Sequence, residues 1–233
     1  MKFKPITTGN RLVRSALIGL GMAAPMSASA LTIDINTYVT GSPASGTEAS
    51  VANLILTQNG TNVDFTFNNT VNNLPGNMGD DAYISQLQFS YDGAAVLTNA
   101  SFSNFGGTQA IIANDFDIDP NGKNAGYNFY LDLEYPNSAA DRFVNGEFTT
   151  WTISGVSLND FLVSVPGSGP ASLAMVHIQQ VGAGPGGGNS LKYVGSVGVP
   201  PIDHPQNPVP EPGSLALLGV GLLGLGAMRR RKK

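Results

Sequence analysis

The sequence predicts a mainly β protein: a single antiparallel, jelly-roll-like β-sandwich with one short helix, an N-terminal signal helix and a C-terminal hydrophobic helix. Three observations predict the sandwich. Short runs alternate apolar and polar residues with a period of two. These runs are rich in β-branched and aromatic residues. Clusters of Asn, Gly and Pro separate them, as is typical of turns between antiparallel strands.

The strand-like runs follow one another along the middle of the chain. They cover residues 31–36, 63–68, 84–91, 128–134, 148–153 and 173–181. Turn-rich stretches lie at residues 72–80, 119–126 and 182–189. The short helix is predicted at residues 157–165, where Ser157 and Asp160 have the spacing of a capping box.

Residues 1–30 are typical of a secretory signal peptide. A basic start precedes an apolar stretch at residues 16–26, which is too short to span a bilayer. Ala28 and Ala30 supply the small residues that signal peptidase requires, so cleavage after Ala30 is predicted. The alternative is an uncleaved anchor helix. The body is then residues 31–196, followed by a proline-rich stalk at residues 197–208.

The last segment, residues 209–233, has three parts. Pro210, Glu211 and Pro212 form a stiff, extended box because each proline fixes its own φ and restrains the preceding residue. Residues 214–228 are predicted to form an apolar, glycine-rich helix, and residues 215–228 would span about 21 Å, less than the roughly 30 Å core of a bilayer. Such a segment predicts a transient membrane anchor rather than a lasting one.

A basic cluster closes the chain, beginning with Arg229, Arg230 and Arg231. Cations directly after an apolar helix favour a cytoplasmic end, so the body is expected outside the inner membrane. Box, helix and basic tail in this order resemble the PEP-CTERM sorting signal. The resemblance implies processing by an exosortase-type membrane transpeptidase and delivery to the cell surface or the extracellular space. The alternative is an ordinary tail anchor.

The charge of the body is hidden in the whole-chain value of −4. All 16 acidic residues lie in the stretch from Asp34 to Glu211, which contains only three cations, Lys123, Arg142 and Lys192. The net charge of this stretch is therefore about −13, which disfavours nucleic acid as a partner. The chain has no cysteine, so disulfides and thiolate chemistry are excluded.

One stretch resembles the start of a calcium loop. Asp117, Asp119 and Asn121, followed by Gly122, fit the spacing at which alternate oxygen ligands point inward. Asn128 stands where a bidentate glutamate is needed, so the pattern is incomplete. The alternative is a plain turn with solvent-facing aspartates, and no cofactor is required.

The remaining candidates for chemistry each have a structural interpretation. His177 alternates with Val176 and Ile178, so it is expected on the opposite face of a strand. Trp151 and its neighbouring tyrosines are core residues or a sugar-stacking platform. Arg142 is expected to pair with Asp141, Glu134 or Glu147, or to contact a sugar acid.

No arrangement of nucleophile, base and acid is evident, so the sequence predicts a protein that is not an enzyme. The leading hypothesis is an exported structural or adhesive component, linked to exopolysaccharide and biofilm. The alternative is a secreted carbohydrate-binding module, assisted by calcium. A secreted hydrolase with paired carboxylates is a third hypothesis.

Overall fold

The computed structural model of the protein describes residues 29–42, 48–119, 123–182 and 189–197. Eleven β-strands dominate these residues, which confirms the mainly β class. The strands are β1 (Ala30–Gly41), β2 (Ala52–Asn59), β3 (Asn62–Asn69), β4 (Tyr83–Phe89), β5 (Phe102–Gly107), β6 (Phe116–Ile118), β7 (Leu131–Glu134), β8 (Phe143–Val144), β9 (Phe148–Ser154), β10 (Ala174–Val181) and β11 (Asn189–Val197). The six predicted runs correspond to β1, β3, β4, β7, β9 and β10.

The strands form one antiparallel sheet in the order β5-β9-β3-β2-β1-β11-β10-β4-β7-β6, with β8 paired to β4. The centre of the sheet joins the two ends of the body, because β1 pairs with β2 on one side and with β11 on the other. The two layers of the predicted sandwich are therefore the two halves of a single curled sheet.

Aromatic side chains fill the space between the two halves. Phe65 on β3 lies 5.7 Å, centroid to centroid, from Phe89 on β4. Trp151 on β9 stacks on Phe65 at 5.0 Å and meets Phe116 on β6 at 5.5 Å. Phe102 on β5 stacks on Phe116 at 4.4 Å, which brings the two edges of the sheet together. Rings at these separations bury large apolar areas and hold the two halves face to face.

A second, smaller buried cluster lies on the outer face of β10 and β11. It contains Tyr127, Phe129, Met175 and Val194, with Val165 packed against it. Met175 faces this cluster while its neighbours on β10 face the main core, as strand alternation requires. All described strands and both clusters thus fall within residues 30–197.

The described helices are short 3₁₀ turns at Val71–Asn73, Asn99–Ser101, Ala113–Asp115 and Leu158–Phe161. The helix predicted at residues 157–165 is therefore one turn rather than two. Its predicted cap is present in part, since the Ser157 N–H donates to the Asp160 carboxylate at 2.8 Å. The turn ends at Phe161, whose buried ring packs edge-on against Phe65.

Within the described ranges, no helix has the length and apolar character needed to cross a membrane. The predicted signal peptide up to Ala28, most of the stalk, and the C-terminal helix lie outside these ranges. Ala30, at the predicted cleavage site, is the first residue of β1.

Candidate functional site

Arg142 lies beside the end of β10, where several loops meet. Its guanidinium carbon is 4.5 Å from the centroid of the Tyr83 ring. Its Nη1 donates to Gln180 Oε1 at 2.6 Å, and its Nε donates to the Asn137 carbonyl at 3.2 Å. Stacking and two fixed hydrogen bonds hold the planar guanidinium in one orientation.

Two of the three carboxylates expected to pair with Arg142 have other hydrogen-bond partners, and the side-chain contacts of Arg142 include none of the three. Glu147 accepts the Val144 N–H at 2.7 Å, and Asp141 accepts the Ser138 hydroxyl at 2.6 Å. The expectation of an ion pair with Asp141, Glu134 or Glu147 is therefore wrong. Arg142 binds amide and carbonyl oxygens instead, which leaves its positive charge uncompensated by those three groups.

Arg142 lines an open pocket of about 330 Å³. Most of the other lining side chains are planar and polar: Asn72, Asp80, Asp81, Asn145 and Gln180. They come from four separate stretches of the chain, so the pocket exists only in the folded sheet. We call it the Arg142 pocket. It presents hydrogen-bond donors of guanidinium and amide groups together with carboxylate and amide acceptors.

The loop that carries Arg142 and Asn145 is anchored by buried Asn69 at the end of β3. The Asn69 side-chain amide donates to the Phe143 carbonyl at 2.7 Å. The Asn69 backbone accepts from Gly146 N–H at 2.9 Å and donates to the Glu147 carbonyl at 3.0 Å. This set of bonds fixes one wall of the pocket to the core sheet.

Gln180 reaches Arg142 because β10 is irregular at this point. The register with β11 shifts between Gln179 and Val181, and Gln180 has a φ of +54°. A bulge with one residue in the left-handed region redirects a side chain out of the normal alternation. Backbone strain of this kind is common at functional sites, and here it lies at a residue that lines the Arg142 pocket.

A second pocket, of about 130 Å³, lies next to the first on the outer face of β4 and β10. We call it the His177 pocket. Its polar lining residues are Ser85, Gln86, Glu134, Asn137, His177 and Gln179. His177 faces it while Val176 and Ile178 are in the main core, as the alternation predicts. Partial burial and nearby Lys192 lower the pKa of His177, so its ring is neutral at neutral pH.

The predicted calcium residues are described only in part. Asp117 lies on β6 and Asp119 directly after it, whereas Asn121 is outside the described residues. Asp119 has a φ of +56° and lines a third pocket, of about 240 Å³, together with Asp92 and Asn128. Among the described residues, no three acidic or histidine side chains gather closely enough to hold a metal ion. Calcium binding therefore stays a prediction.

The predicted aromatic platform is divided between the cores. Trp151 and Tyr135 are buried in the main core, and Tyr127 is buried in the second cluster. Tyr130 is partly exposed, lines the third pocket and lies 5.4 Å from the Tyr91 ring. Three of the four rings are thus structural, as one of the two interpretations predicted.

Comparison with known proteins bears on the C-terminal end of the chain. Residues 208–232 match the family model of the PEP-CTERM protein-sorting motif. This stretch contains the predicted box at Pro210, Glu211 and Pro212 and the arginines at the start of the basic tail. The match confirms the resemblance and indicates an exported protein that is sorted by an exosortase-type system. Neither the curated proteins nor the solved structures contain a match to the chain.

Proposed function

We propose that this protein is a non-catalytic surface or matrix component that binds neutral exopolysaccharide through the Arg142 pocket after export. The observation that carries the proposal is the fixed guanidinium of Arg142 among five other planar polar side chains. Sugar hydroxyls both donate and accept hydrogen bonds, so they match a surface that mixes both kinds of group. The pocket volume of about 330 Å³ is within the range of small-ligand sites.

The charge of the site favours a neutral saccharide over an acidic one. Asp80 and Asp81 line the same pocket as Arg142, so its formal charge is negative. The surrounding body is also acidic and repels polyanions at a distance. The earlier alternative of a sugar-acid contact is therefore less favourable than binding of an uncharged, hydroxyl-rich chain.

The role in the matrix follows from combining delivery with binding. The sorting signal indicates that the protein is exported, and a pocket for exopolysaccharide gives it a ligand outside the cell. A structural or adhesive function needs binding without turnover. Accordingly, we expect no release of reducing ends when the protein is incubated with polysaccharides that it binds.

The binding test uses residues 29–197, which contain every strand that the structure describes. Cooperative thermal unfolding, followed by the fluorescence of Trp151, first verifies that this fragment is folded. The fragment is then titrated with neutral, acidic and amino polysaccharides. We expect binding to a neutral chain, and a loss of at least tenfold in affinity for Arg142→Ala. Lys123→Ala removes another cation of the body and is expected to bind normally.

Two results would count against the proposal. One is a fragment that binds no neutral glycan, and the other is equal affinity for the wild type and Arg142→Ala.

The titration is repeated with EDTA, and we expect no change because Asp117 and Asp119 do not line the Arg142 pocket. In cells, a strain with Arg142→Ala should aggregate as weakly as the deletion strain. Unchanged aggregation of the deletion strain would exclude the adhesive role.

A further inference from the structure

The Arg142 pocket and the His177 pocket are separated by one structural unit. Arg142 stacks on the Tyr83 ring, and the Tyr83 hydroxyl lies 2.9 Å from Gln179 Oε1 and 3.2 Å from Asn137 Oδ1. Gln179 and Asn137 line the His177 pocket, whereas Gln180 and Arg142 line the Arg142 pocket. The Tyr83 ring thus contacts Arg142 of the Arg142 pocket, and the Tyr83 hydroxyl contacts Gln179 and Asn137 of the His177 pocket.

We propose that the two pockets are adjacent subsites of one cleft, which binds an internal segment of a neutral polysaccharide rather than a single terminal sugar. This inference rests on the proposed function and extends it to the form of the ligand. A chain that crosses the Arg142–Tyr83 unit would place one sugar in each pocket. Neighbouring Gln179 and Gln180 would then contact consecutive sugars, because adjacent Cα atoms are about 3.8 Å apart.

The polar groups of the His177 pocket lie in one row across three strands. His177 on β10 is opposite Gln86 on β4, and Gln86 is opposite Glu134 on β7. Strands are about 4.8 Å apart, so this row extends for roughly 10 Å across the outer face of the sheet. The row therefore offers hydrogen-bonding groups along a line and suits an extended chain better than a compact solute.

The His177 pocket is also preformed by its own hydrogen bonds. The Gln179 side-chain amide donates to the Ser85 hydroxyl at 3.0 Å, and that hydroxyl donates to the His177 carbonyl at 3.2 Å. Ser85 is positioned by a second irregularity, since the register of β4 with β10 shifts between His177 and Ile178. The neutral imidazole supplies one donor and one acceptor, which suits a hydroxyl group.

The test compares sugars of increasing length from the polysaccharide that binds. We expect the affinity of the fragment to rise at least tenfold from the monosaccharide to the tetrasaccharide. His177→Ala should lower tetrasaccharide affinity about tenfold and leave monosaccharide affinity unchanged. Arg142→Ala should lower both affinities. Thr57→Ala, on the other half of the sheet, is the matched control and should lower neither.

A direct readout comes from the imidazole itself. The chain has two histidines, His177 and His204, and only His177 is within residues 29–197. Its ring proton signals should shift in the NMR spectrum when the tetrasaccharide is added and stay in place with the monosaccharide. His177→Gln provides a second variant if His177→Ala does not fold.

The outcomes separate the two proposals. Equal affinity for all lengths, or an unshifted His177 signal with the tetrasaccharide, overturns the two-subsite cleft. The proposed function then survives if Arg142→Ala still weakens monosaccharide binding. A fragment that binds no length of glycan overturns both.

Discussion

The side-chain NH2 of Gln88 donates to Oδ2 of Asp132 at 2.8 Å, while the Gln88 oxygen and the second Asp132 oxygen have no partner among the described residues. Gln88 Oε1 and Asp132 Oδ1 are both buried without a hydrogen bond from any described residue. The two residues are only 4% and 5% exposed. A proton on Asp132 Oδ1 would supply the one donor that this pair lacks, since a neutral carboxylic acid both donates and accepts. A reciprocal acid–amide pair therefore explains both unpaired atoms.

The stability of the protein should consequently fall as pH rises from 4 to 6. Burial, with Glu134 and Asp117 nearby, raises the pKa of Asp132 from 3.8 to about 6. The folded protein therefore holds a proton that the unfolded chain has released in this range, and stability declines with pH. We expect a loss of roughly 2 to 3 kcal/mol in unfolding free energy between pH 4 and 7. Urea unfolding at stepped pH measures it.

Asp132→Asn is expected to remove this pH dependence. Its amide can donate to Gln88 Oε1 and still accept from Gln86 and Gln88, so the variant should be more stable than the wild type at pH 7. Glu48→Gln changes an exposed acidic residue that is distant from Asp132 in the sequence. It is the control and should keep the wild-type dependence of the unfolding free energy on pH. A variant that is less stable than the wild type at pH 7 would show that Asp132 acts as a carboxylate.

Replacing Trp151 should test the contact between the two halves of the sheet. Its side chain is 1% exposed and lies between Phe65 and Phe116. Trp151→Ala should cost about 3 to 5 kcal/mol of unfolding free energy, because it removes the atoms that both halves contact. Chemical unfolding followed by circular dichroism measures the loss.

The same strand provides the comparison. Phe148→Ala removes an exposed ring from β9 and should cost less than 1 kcal/mol. Trp151→Phe should give an intermediate result, since it keeps a ring and also removes the buried indole N–H that has no partner among the described residues. Equal losses for Trp151→Ala and Phe148→Ala would mean that the aromatic contacts between the halves contribute little.

Gly167 should tolerate no side chain, because the Tyr127 ring occupies the space. A Cβ atom at Gly167 would lie 2.3 Å from Tyr127 Cδ2. Tyr127 cannot move easily, since its hydroxyl donates to the Pro170 carbonyl at 2.8 Å and its ring stacks on Phe129. Gly167→Ala should lower the unfolding free energy by about 1 to 3 kcal/mol. Ser164→Ala in the same exposed loop should leave the thermal midpoint unchanged, and a Gly167→Ala variant that matches it would contradict the packing.

Local patterns predicted the strands that alternate most clearly, and they failed where pairing depends on distant residues. The run at residues 63–68 alternates polar and apolar side chains and became β3. β5 contains Gly106 and Gly107, and its pairing with β9 is interrupted by a register shift, so it has little local signal. β8 is only two residues long and exists because β4 offers it an edge. Such strands depend on tertiary pairing rather than on propensity.

The candidate site was even less visible in the sequence. Arg142 stood out as a rare cation, but its predicted partners were nearby acids in the chain. The actual partner, Gln180, is far away in sequence and reaches Arg142 through a bulge with positive φ. Asp80 was predicted to end a turn-rich stretch at residues 72–80, and Asp81 was assigned to no element. No periodicity signals a bulge or the meeting of separate loops, so the pocket could not be predicted from the chain alone.

The sorting signal should fail when either of its charged parts is neutralised. Glu211→Ala alters the predicted box, and replacing Arg229, Arg230 and Arg231 with glutamine removes three of the five terminal cations that are expected to keep the end of the chain at the cytoplasmic surface. In either variant we expect the uncleaved protein to accumulate in the membrane fraction, detected as a larger band on an immunoblot. Asp203→Asn, in the predicted stalk, changes charge outside the matched residues 208–232 and should be processed normally. Normal release of both signal variants would mean that the matched motif does not direct processing, whereas a wild-type protein that stays uncleaved in the membrane would mean that the apolar segment is an ordinary tail anchor.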